Sequence, residues 1–235
     1  MPQLNPLELQ YKTMLQRLKE TKELILTERS FGEPSLPFKR YEDLSYIDLA
    51  WTDVRLDGPM LTDALRLTEV SAHWEYKSSP DRIQGEFRIP SPVEILSMGP
   101  SPAAEAMEDP FQQEFVAQLR PFDIARRLVP LFRANVRMTQ QDGPLEIWFE
   151  DQKTIGSPPF PYGYIKLDLT FVEYQKALLL SKGLHGWQYL FTDAPLGTAD
   201  FNVVRERLEH GLQVLPGLFP EDDFTPLRER LEARL

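Results

Sequence analysis

The chain of 235 residues contains no cysteine. It can therefore form no disulfide bond, offer no thiolate to a metal ion and use no cysteine nucleophile. Histidine is scarce too, because only His73, His185 and His210 are present, and no two of them stand four residues apart as in a helical zinc motif. The sequence thus predicts no metal site and no other cofactor.

Long apolar runs are also missing from the sequence. No stretch approaches the roughly 18 apolar residues that a helix needs to cross a bilayer. Residues 1–20 lack the basic start, the apolar run and the small-residue cleavage site of a signal peptide. From these absences we expect a cytoplasmic protein that does not enter a membrane.

Familiar catalytic and phosphate-binding motifs are absent as well. The sequence has no G-x-x-x-x-G-K-[S/T], no G-x-G-x-x-G and no G-x-S-x-G. Neighbouring acids such as Asp53 with Asp57, or Glu150 with Asp151, act as an acid/base pair only where an apolar setting raises one pKa. We therefore predict that the protein is not an enzyme. The alternative, an enzyme, requires His185 to line a pocket beside a buried carboxylate.

Acidic residues outnumber basic ones by 36 to 26, which gives a net charge of −10. Such a charge repels nucleic acid and anionic membranes and attracts a basic protein partner. The excess is largest between residues 41 and 81, where nine acidic side chains face Arg55, Arg66 and Lys77. The candidate partner-binding residues are the first six of these acids: Glu42, Asp43, Asp48, Asp53, Asp57 and Asp63. The simpler alternative is a solvated face that maintains solubility.

Basic residues are densest between positions 119 and 137. Five arginines occur there: Arg120, Arg126, Arg127, Arg133 and Arg137. One interpretation is that they extend from helices packed on a sheet and offset nearby acids. The other is a site for an anion or an acidic peptide. Because the chain as a whole is acidic, we expect no binding of nucleic acid.

The first predicted element is an amphipathic helix. Asn5 can serve as its N-cap, Pro6 as its first residue and Glu8 as an acid that complements the helix dipole. Apolar residues recur at spacings of three and four, so the helix is expected to run to about Glu28, before the glycine and prolines of residues 31–38. Its single apolar stripe packs either on the protein's own core or on a partner helix.

The middle of the chain combines strands with short helices. Residues 69–77 and 83–90 predict a β-hairpin around a polar turn. The proline-rich stretch 89–103 predicts an exposed crossing segment or an edge. Helical spacing with proline breaks predicts short helices over 103–138, and residues 145–151 predict the clearest strand.

A strand, a helix and a glycine corner follow. Residues 164–169 predict a strand antiparallel to 145–151, because the connection is short. Thr170 and Glu173 are placed as a capping box, and Gly183 suits the left-handed position that ends a helix. The corner that follows the helix is predicted to extend from Gly183 to Phe191.

Two charged amphipathic helices, at 200–212 and 222–235, complete the chain, and Thr225 is predicted to cap the second. The elements together predict an α+β fold. We expect an N-terminal helix at 1–30, an α+β core domain at 38–200 and a C-terminal helical extension at 201–235.

Residues 160–191 carry one family signal. A strand, a Phe-x-x-Tyr helix start, a leucine-rich helix and a glycine corner with Trp-Gln are formed by Phe171, Tyr174, Leu178, Leu179, Gly183, Trp187 and Gln188. This pattern, over about a fifth of the chain, resembles the C-terminal part of SUKH superfamily proteins, which include yeast cell-wall synthesis regulators and bacterial immunity proteins. The resemblance implies a single curved, mainly antiparallel sheet flanked by helices, and a binding role without catalysis.

The leading functional hypothesis is therefore a non-enzymatic, immunity-type protein that binds and neutralises a basic toxin or nuclease domain. The alternative is a housekeeping adaptor or assembly protein that docks partners through its terminal amphipathic helices, residues 6–28 and 226–235.

Overall fold

The computed structural model describes residues 3–35, 44–46, 51, 53–78, 83–127, 132–139, 143–151 and 158–235. Helices and strands both occur in this part of the chain, so the predicted α+β class is confirmed, as are the helices at the two ends. The α-helices are α1 (Pro6–Glu20), α2 (Gly58–Thr62), α3 (Pro92–Ser97), α4 (Pro110–Gln118), α5 (Phe171–Ser181), α6 (Asn202–Leu218) and α7 (Thr225–Glu232). The strands are β1 (Leu24–Phe31), β2 (Glu69–Tyr76), β3 (Gln84–Pro90), β4 (Leu119–Ile124), β5 (Phe132–Arg137), β6 (Ile147–Asp151) and β7 (Tyr164–Leu167).

The strands form two antiparallel sheets. The N-terminal sheet has the order β1-β2-β3 and the C-terminal sheet the order β4-β5-β6-β7. The predicted hairpin is confirmed as β2 and β3, with Trp74 opposite Gly85. The predicted antiparallel pairing of residues 145–151 with 164–169 is confirmed as β6 and β7.

The resemblance implied a single sheet, but the strands form two sheets that separate between β3 and β4. At this boundary, backbone N–H groups donate to side-chain carboxylates and not to the backbone carbonyls of a neighbouring strand. The backbone N–H of Arg88 on β3 donates to Oδ1 of Asp123 on β4, at 2.9 Å. The N–H of Arg126, after β4, donates to Oε1 of Glu86 on β3, at 2.8 Å. β4 is also bulged between Pro121 and Asp123, and Pro121 has no N–H to donate.

The N-terminal helix is shorter than predicted. α1 begins with the predicted N-cap Asn5, which forms a capping box with Glu8, but it ends at Glu20, since Thr21 has an extended backbone. The expected continuation to Glu28 is wrong, because residues 24–31 form β1. The stretch includes the β-branched residues Ile25 and Thr27, which favour a strand, and the exposure of its side chains alternates once it pairs with β2.

The region from 89 to 138 is also corrected. The proline-rich stretch forms α3, which Ser91 caps, instead of an edge. The expectation of helices over 103–138 holds for α4 but is wrong for β4 and β5. In β5, Phe132, Ala134 and Val136 alternate into the core, a period that pairing with β4 and β6 imposes.

The C-terminal elements differ in their bounds. α6 runs to Leu218, beyond the predicted end at 212. Thr225 is the first residue of α7 and not its cap; its N–H donates to the carboxylate of Asp223 at 2.9 Å.

One large apolar cluster includes side chains of α1, both sheets, α5, α6 and α7. A smaller cluster lies where α4 covers the other face of the C-terminal sheet and contains Phe115, Val116, Leu119, Trp148 and Tyr164. The domain boundaries at 38 and 200 stay predictions.

Candidate functional site

The corner after α5 is built by local backbone geometry. The capping box of Thr170 and Glu173 begins the helix as predicted. Lys182 and Gly183 both adopt left-handed conformations, with φ of 58° and 70°, and end it. Such conformations cost little for glycine, so the predicted role of Gly183 is confirmed.

The corner is attached to the free edge of β3. The N–H of Glu86 donates to the carbonyl of Gly183, and the N–H of His185 donates to the carbonyl of Gln84, both at 2.9 Å. A Cβ at Gly183 would approach the Phe87 ring to 2.9 Å and the Glu86 carbonyl to 3.0 Å. The corner therefore extends the N-terminal sheet by a short backbone pairing.

Trp74 of β2 links the N-terminal sheet to the corner after α5 by a second contact. Its indole N–H donates to the carbonyl of Lys182 at 2.7 Å, and its side chain is fully buried. Gly85, the cross-strand partner, leaves room for the indole, because a Cβ there would lie 2.5 Å from Trp74 atoms. This contact explains why β3 has a glycine in its interior.

The residues that carry the SUKH resemblance build the core around this corner. Phe171, Tyr174, Leu178 and Trp187 are buried in the main cluster, and Leu179 packs against it. Gln188 donates from Nε2 to the Tyr174 hydroxyl at 3.3 Å. Phe171 and Tyr174 also contact the Phe122 ring of β4, at 4.8 and 4.7 Å, so the start of α5 packs against the C-terminal sheet.

His185 is buried but has no carboxylate partner among the described residues. Its ring lies 4.7 Å from the Phe132 ring, its Nδ1 lies 3.3 Å from an Arg207 nitrogen, and its Nε2 makes no hydrogen bond. Burial, with the nearby Arg207 charge, lowers the pKa of His185 to about 3. The imidazole is therefore neutral at physiological pH and lacks the orienting carboxylate of a catalytic histidine.

The other two histidines lie elsewhere. His73 on β2 contacts the Thr27 hydroxyl, and His210 lies on α6. Within the described residues, no three potential metal ligands come together.

A buried carboxylate that the sequence analysis did not single out lies between the two sheets. Asp123 is 2% exposed, and its Oδ2 accepts a hydrogen bond from the Tyr174 hydroxyl at 2.7 Å. Burial raises the pKa of Asp123 to about 7, despite the hydrogen bonds from Arg88 and Tyr174 that favour its charged form. The charge of Glu86 raises it further. Nothing in the segment Leu119–Ile124 predicts this role, because the contacts of Asp123 come from Arg88 on β3 and Tyr174 on α5.

We expect Asp123→Asn to change how stability depends on pH. A carboxyl whose pKa is higher in the folded state than in the unfolded state stabilises the fold at low pH, and this contribution is lost as pH rises through the folded value. The unfolding free energy of Asp123→Asn minus that of the wild type should therefore rise by on the order of 2–3 kcal/mol from pH 5 to pH 8. Urea unfolding at both pH values measures this difference.

The subtraction is needed because His185 acts in the opposite direction. Its pKa is lowered on folding, so its contribution grows as pH rises from about 3 to 6.5. This contribution is present in both proteins and cancels. Asp53→Asn, which removes an exposed carboxylate, is the matched control and should give a constant difference. A constant difference for Asp123→Asn as well would contradict the role assigned to Asp123.

A second cluster ties the two ends of the chain to α5. Lys182 Nζ lies 2.9 Å from Asp222 Oδ2, and Arg17 of α1 lies 2.8 Å from Asp222 Oδ1. The Lys182 side chain is 3% exposed, and this burial lowers its pKa although Asp222 counteracts the effect. The cluster fastens α1 and the α6–α7 connection to the end of α5.

The proposed acidic surface is partly described. Asp53 and Asp63 are exposed on either side of α2. Asp57 is half-buried, and its Oδ1 accepts the N–H of Met60 at 2.7 Å as the N-cap of α2. The remaining candidates, Glu42, Asp43 and Asp48, lie outside the described residues.

One base of this segment is neutralised by a buried partner. Glu8 of α1, whose side chain is 0% exposed, accepts hydrogen bonds from Arg66 N, Nε and Nη2 at 2.9, 2.8 and 2.7 Å. Burial alone would raise the pKa of Glu8, but the hydrogen bonds from Arg66 and Asn5 outweigh it and hold the pKa below its usual value.

The arginines of 119–137 do not gather into one basic surface. Arg120 is 1% exposed and lies 4.4 Å over the Trp51 ring. Three of the others pair with acids, Arg127 with Glu28, Arg133 with Glu150 and Arg137 with Glu146, at 3.2, 3.4 and 3.1 Å. The predicted offset of acids is thus observed, although strands and a loop carry these arginines and not helices.

The fold and its contacts define an α+β protein with two antiparallel sheets joined through buried carboxylates. Comparison of the chain with protein-family models, curated proteins and solved structures finds no match. Within the described residues, no helix combines the length and the apolar content that a bilayer span requires.

Proposed function

We propose that this protein is a non-enzymatic binding module whose acidic segment, residues 42–81, contacts a basic protein partner. The observation that carries the proposal is the charge around α2. Asp53 and Asp63 present exposed carboxylates there, while the nearby Arg66 is held by the buried Glu8. Arg55 of the same segment is also exposed, so the described surface carries an excess of negative charge. Such an excess steers a basic partner and accelerates its association.

The resemblance of residues 160–191 to SUKH proteins supports a narrower proposal. It makes the protein an immunity-type inhibitor that binds and neutralises a basic toxin domain, such as a nuclease. The net charge of −10 has the sign that steers towards and covers a basic nuclease cleft.

The second candidate, an adaptor that docks through its terminal helices, has less support. The apolar stripe of α1, including Tyr11, Met14 and Leu18, is buried in the protein's own core. In α7, Leu227 and Leu231 are buried in the same cluster. The faces with which these helices would bind a partner are therefore occupied.

The test is to compare capture of a partner by charge-reversed variants. In Asp53→Lys/Asp63→Lys, the partner captured by the wild type from the native host should associate about tenfold more slowly at low salt. Asp57 is tested in a separate variant, Asp57→Ser, because serine removes the charge and still caps α2. Mass spectrometry identifies the partner, and surface plasmon resonance at several salt concentrations measures the association rate.

The matched control is Glu105→Lys/Glu108→Lys, which makes the same change in net charge at two exposed acids between α3 and α4. Equal association rates for the control and for Asp53→Lys/Asp63→Lys would show that overall charge, and not this surface, attracts the partner. A captured partner that is not basic would contradict the proposal in its general form.

A further inference from the structure

A cavity of about 340 Å³ lies on the face of the C-terminal sheet that α4 covers. Most of its wall is apolar. Met98, Pro100 and Pro102 line it from the segment after α3, and Val116 and Leu119 line it from α4 and the start of β4. Pockets for small ligands are mostly apolar and range from about 300 to 1,000 Å³. The volume therefore suits a compact molecule.

Polar side chains form the floor of this cavity in two rows across the sheet. Arg133 of β5 lies opposite Glu150 of β6 in the strand register, and Glu150 lies opposite Tyr164 of β7. These three residues therefore form one row across the sheet. Asn135 lies two residues along β5 on the same face, opposite Pro121 of β4. Because strands hold all four polar groups, the sheet fixes their relative positions.

The side-chain amide of Asn135 has a donor that no described residue accepts. The residue is 3% exposed, and its Nδ2 is buried without a hydrogen-bond partner among the described residues. A buried amide left unpaired destabilises the fold, and most buried polar groups have partners. Because this nitrogen has almost no accessible surface, the Asn135 amide must rotate towards the cavity to donate to an acceptor on a bound molecule.

The charges beside Asn135 favour an uncharged molecule. Arg133 and Glu150 lie 3.4 Å apart, so the floor has no net charge from this pair. Burial, with the nearby Glu150 charge, raises the pKa of Tyr164 to about 12, and its hydroxyl stays protonated. A buried anion would lose its hydration without gaining an unpaired counter-charge, whereas Glu150 can accept a hydrogen bond.

We propose that this cavity binds a small, uncharged, mainly apolar molecule that carries an amide group. The amide carbonyl accepts the hydrogen bond from Asn135 Nδ2, and the amide N–H donates to Glu150. The apolar body contacts the proline and aliphatic walls. The site is separate from the acidic surface around α2 and does not depend on the function proposed for it.

The test uses benzamide as the probe and the full chain labelled with ¹⁵N. Titration followed by two-dimensional NMR should shift the side-chain NH₂ signal of Asn135 and backbone signals of β5 and β6. Toluene, which lacks the amide, and benzoate, which is charged and has no N–H to donate, should bind about tenfold more weakly or not at all.

The variant Asn135→Leu separates binding from structure. It removes the unpaired donor, so its midpoint of thermal unfolding should be equal to or above that of the wild type, while benzamide binding falls about tenfold or more. Gln113→Leu makes the same change at an exposed position of α4 and should leave binding unchanged.

Three results would overturn the proposal. The first is benzamide that causes no shifts at the cavity up to its solubility limit. The second is benzoate or toluene that binds as tightly as benzamide. The third is an Asn135→Leu variant that binds benzamide as tightly as the wild type, whatever its stability, since Asn135 would then not contact the molecule.

Discussion

Gly85→Val is expected to lower the free energy of unfolding by about 3 kcal/mol or more, because overpacking of a closed core site forces backbone and side-chain shifts. A Cβ at this position would lie 2.5 Å from the indole of Trp74. The indole cannot retreat easily, since it is fully buried and donates to the Lys182 carbonyl. Urea unfolding followed by tryptophan fluorescence and circular dichroism measures the loss.

Two further variants test the cause. Gly217→Val is the matched control, because a Cβ at this exposed glycine of α6 meets no atom within 4 Å. In the background of Trp74→Leu, the penalty of Gly85→Val should shrink, since the smaller side chain leaves room for the new methyl groups. An equal penalty in both backgrounds would mean that the glycine is required for another reason.

Arg66→Ala is expected to cost about 3–5 kcal/mol of unfolding free energy, because it leaves the buried Glu8 carboxylate without its counter-charge. Two of the Arg66 hydrogen bonds to Glu8 come from the guanidinium and would be lost. Among the residues that the structure describes, only backbone N–H groups, those of Asn5 and residue 66, would remain to hold the carboxylate. Urea unfolding at pH 7 measures the effect.

The variant Glu8→Gln/Arg66→Ala should recover part of this loss, since a neutral amide keeps an acceptor for the helix cap and needs no counter-charge. Lowering the pH towards 4 should also reduce the difference in unfolding free energy between Arg66→Ala and the wild type. The variant can then protonate Glu8, whereas the wild type loses the stability that its lowered pKa provides. Arg228→Ala, at an exposed position of α7, is the control. A loss for Arg66→Ala no larger than for this control would be evidence against the buried pair.

The elements that could be predicted are those whose signals are local. The N-cap Asn5 and the capping box of Thr170 and Glu173 involve residues at most three apart, so their chemistry can be seen in a short stretch. The left-handed turn at Gly183 depends on one residue in the same way. The hairpin of β2 and β3 brackets its own turn.

The elements that were missed depend on distant partners. β1 follows α1 directly and continues an amphipathic pattern, and it becomes a strand because β2 pairs with it. β4 and β5 carry arginines and a proline that suggest broken helices, yet their side chains alternate between two covered faces of a sheet. A short charged segment is compatible with the period of a helix and with that of a strand, and the elements that pack against it decide between them.

By itself, the sequence determined the N-caps of α1 and α5, the left-handed turn at Gly183, the acidic charge and the apolar content for a core. Those properties depend on side-chain chemistry within a few residues or on composition alone. Tertiary structure alone decided the division into two sheets, the burial of Asp123 and Glu8, and the cavity floor at Asn135. Each of these arises where segments far apart in the chain meet, and burial then alters the pKa values of the groups it encloses.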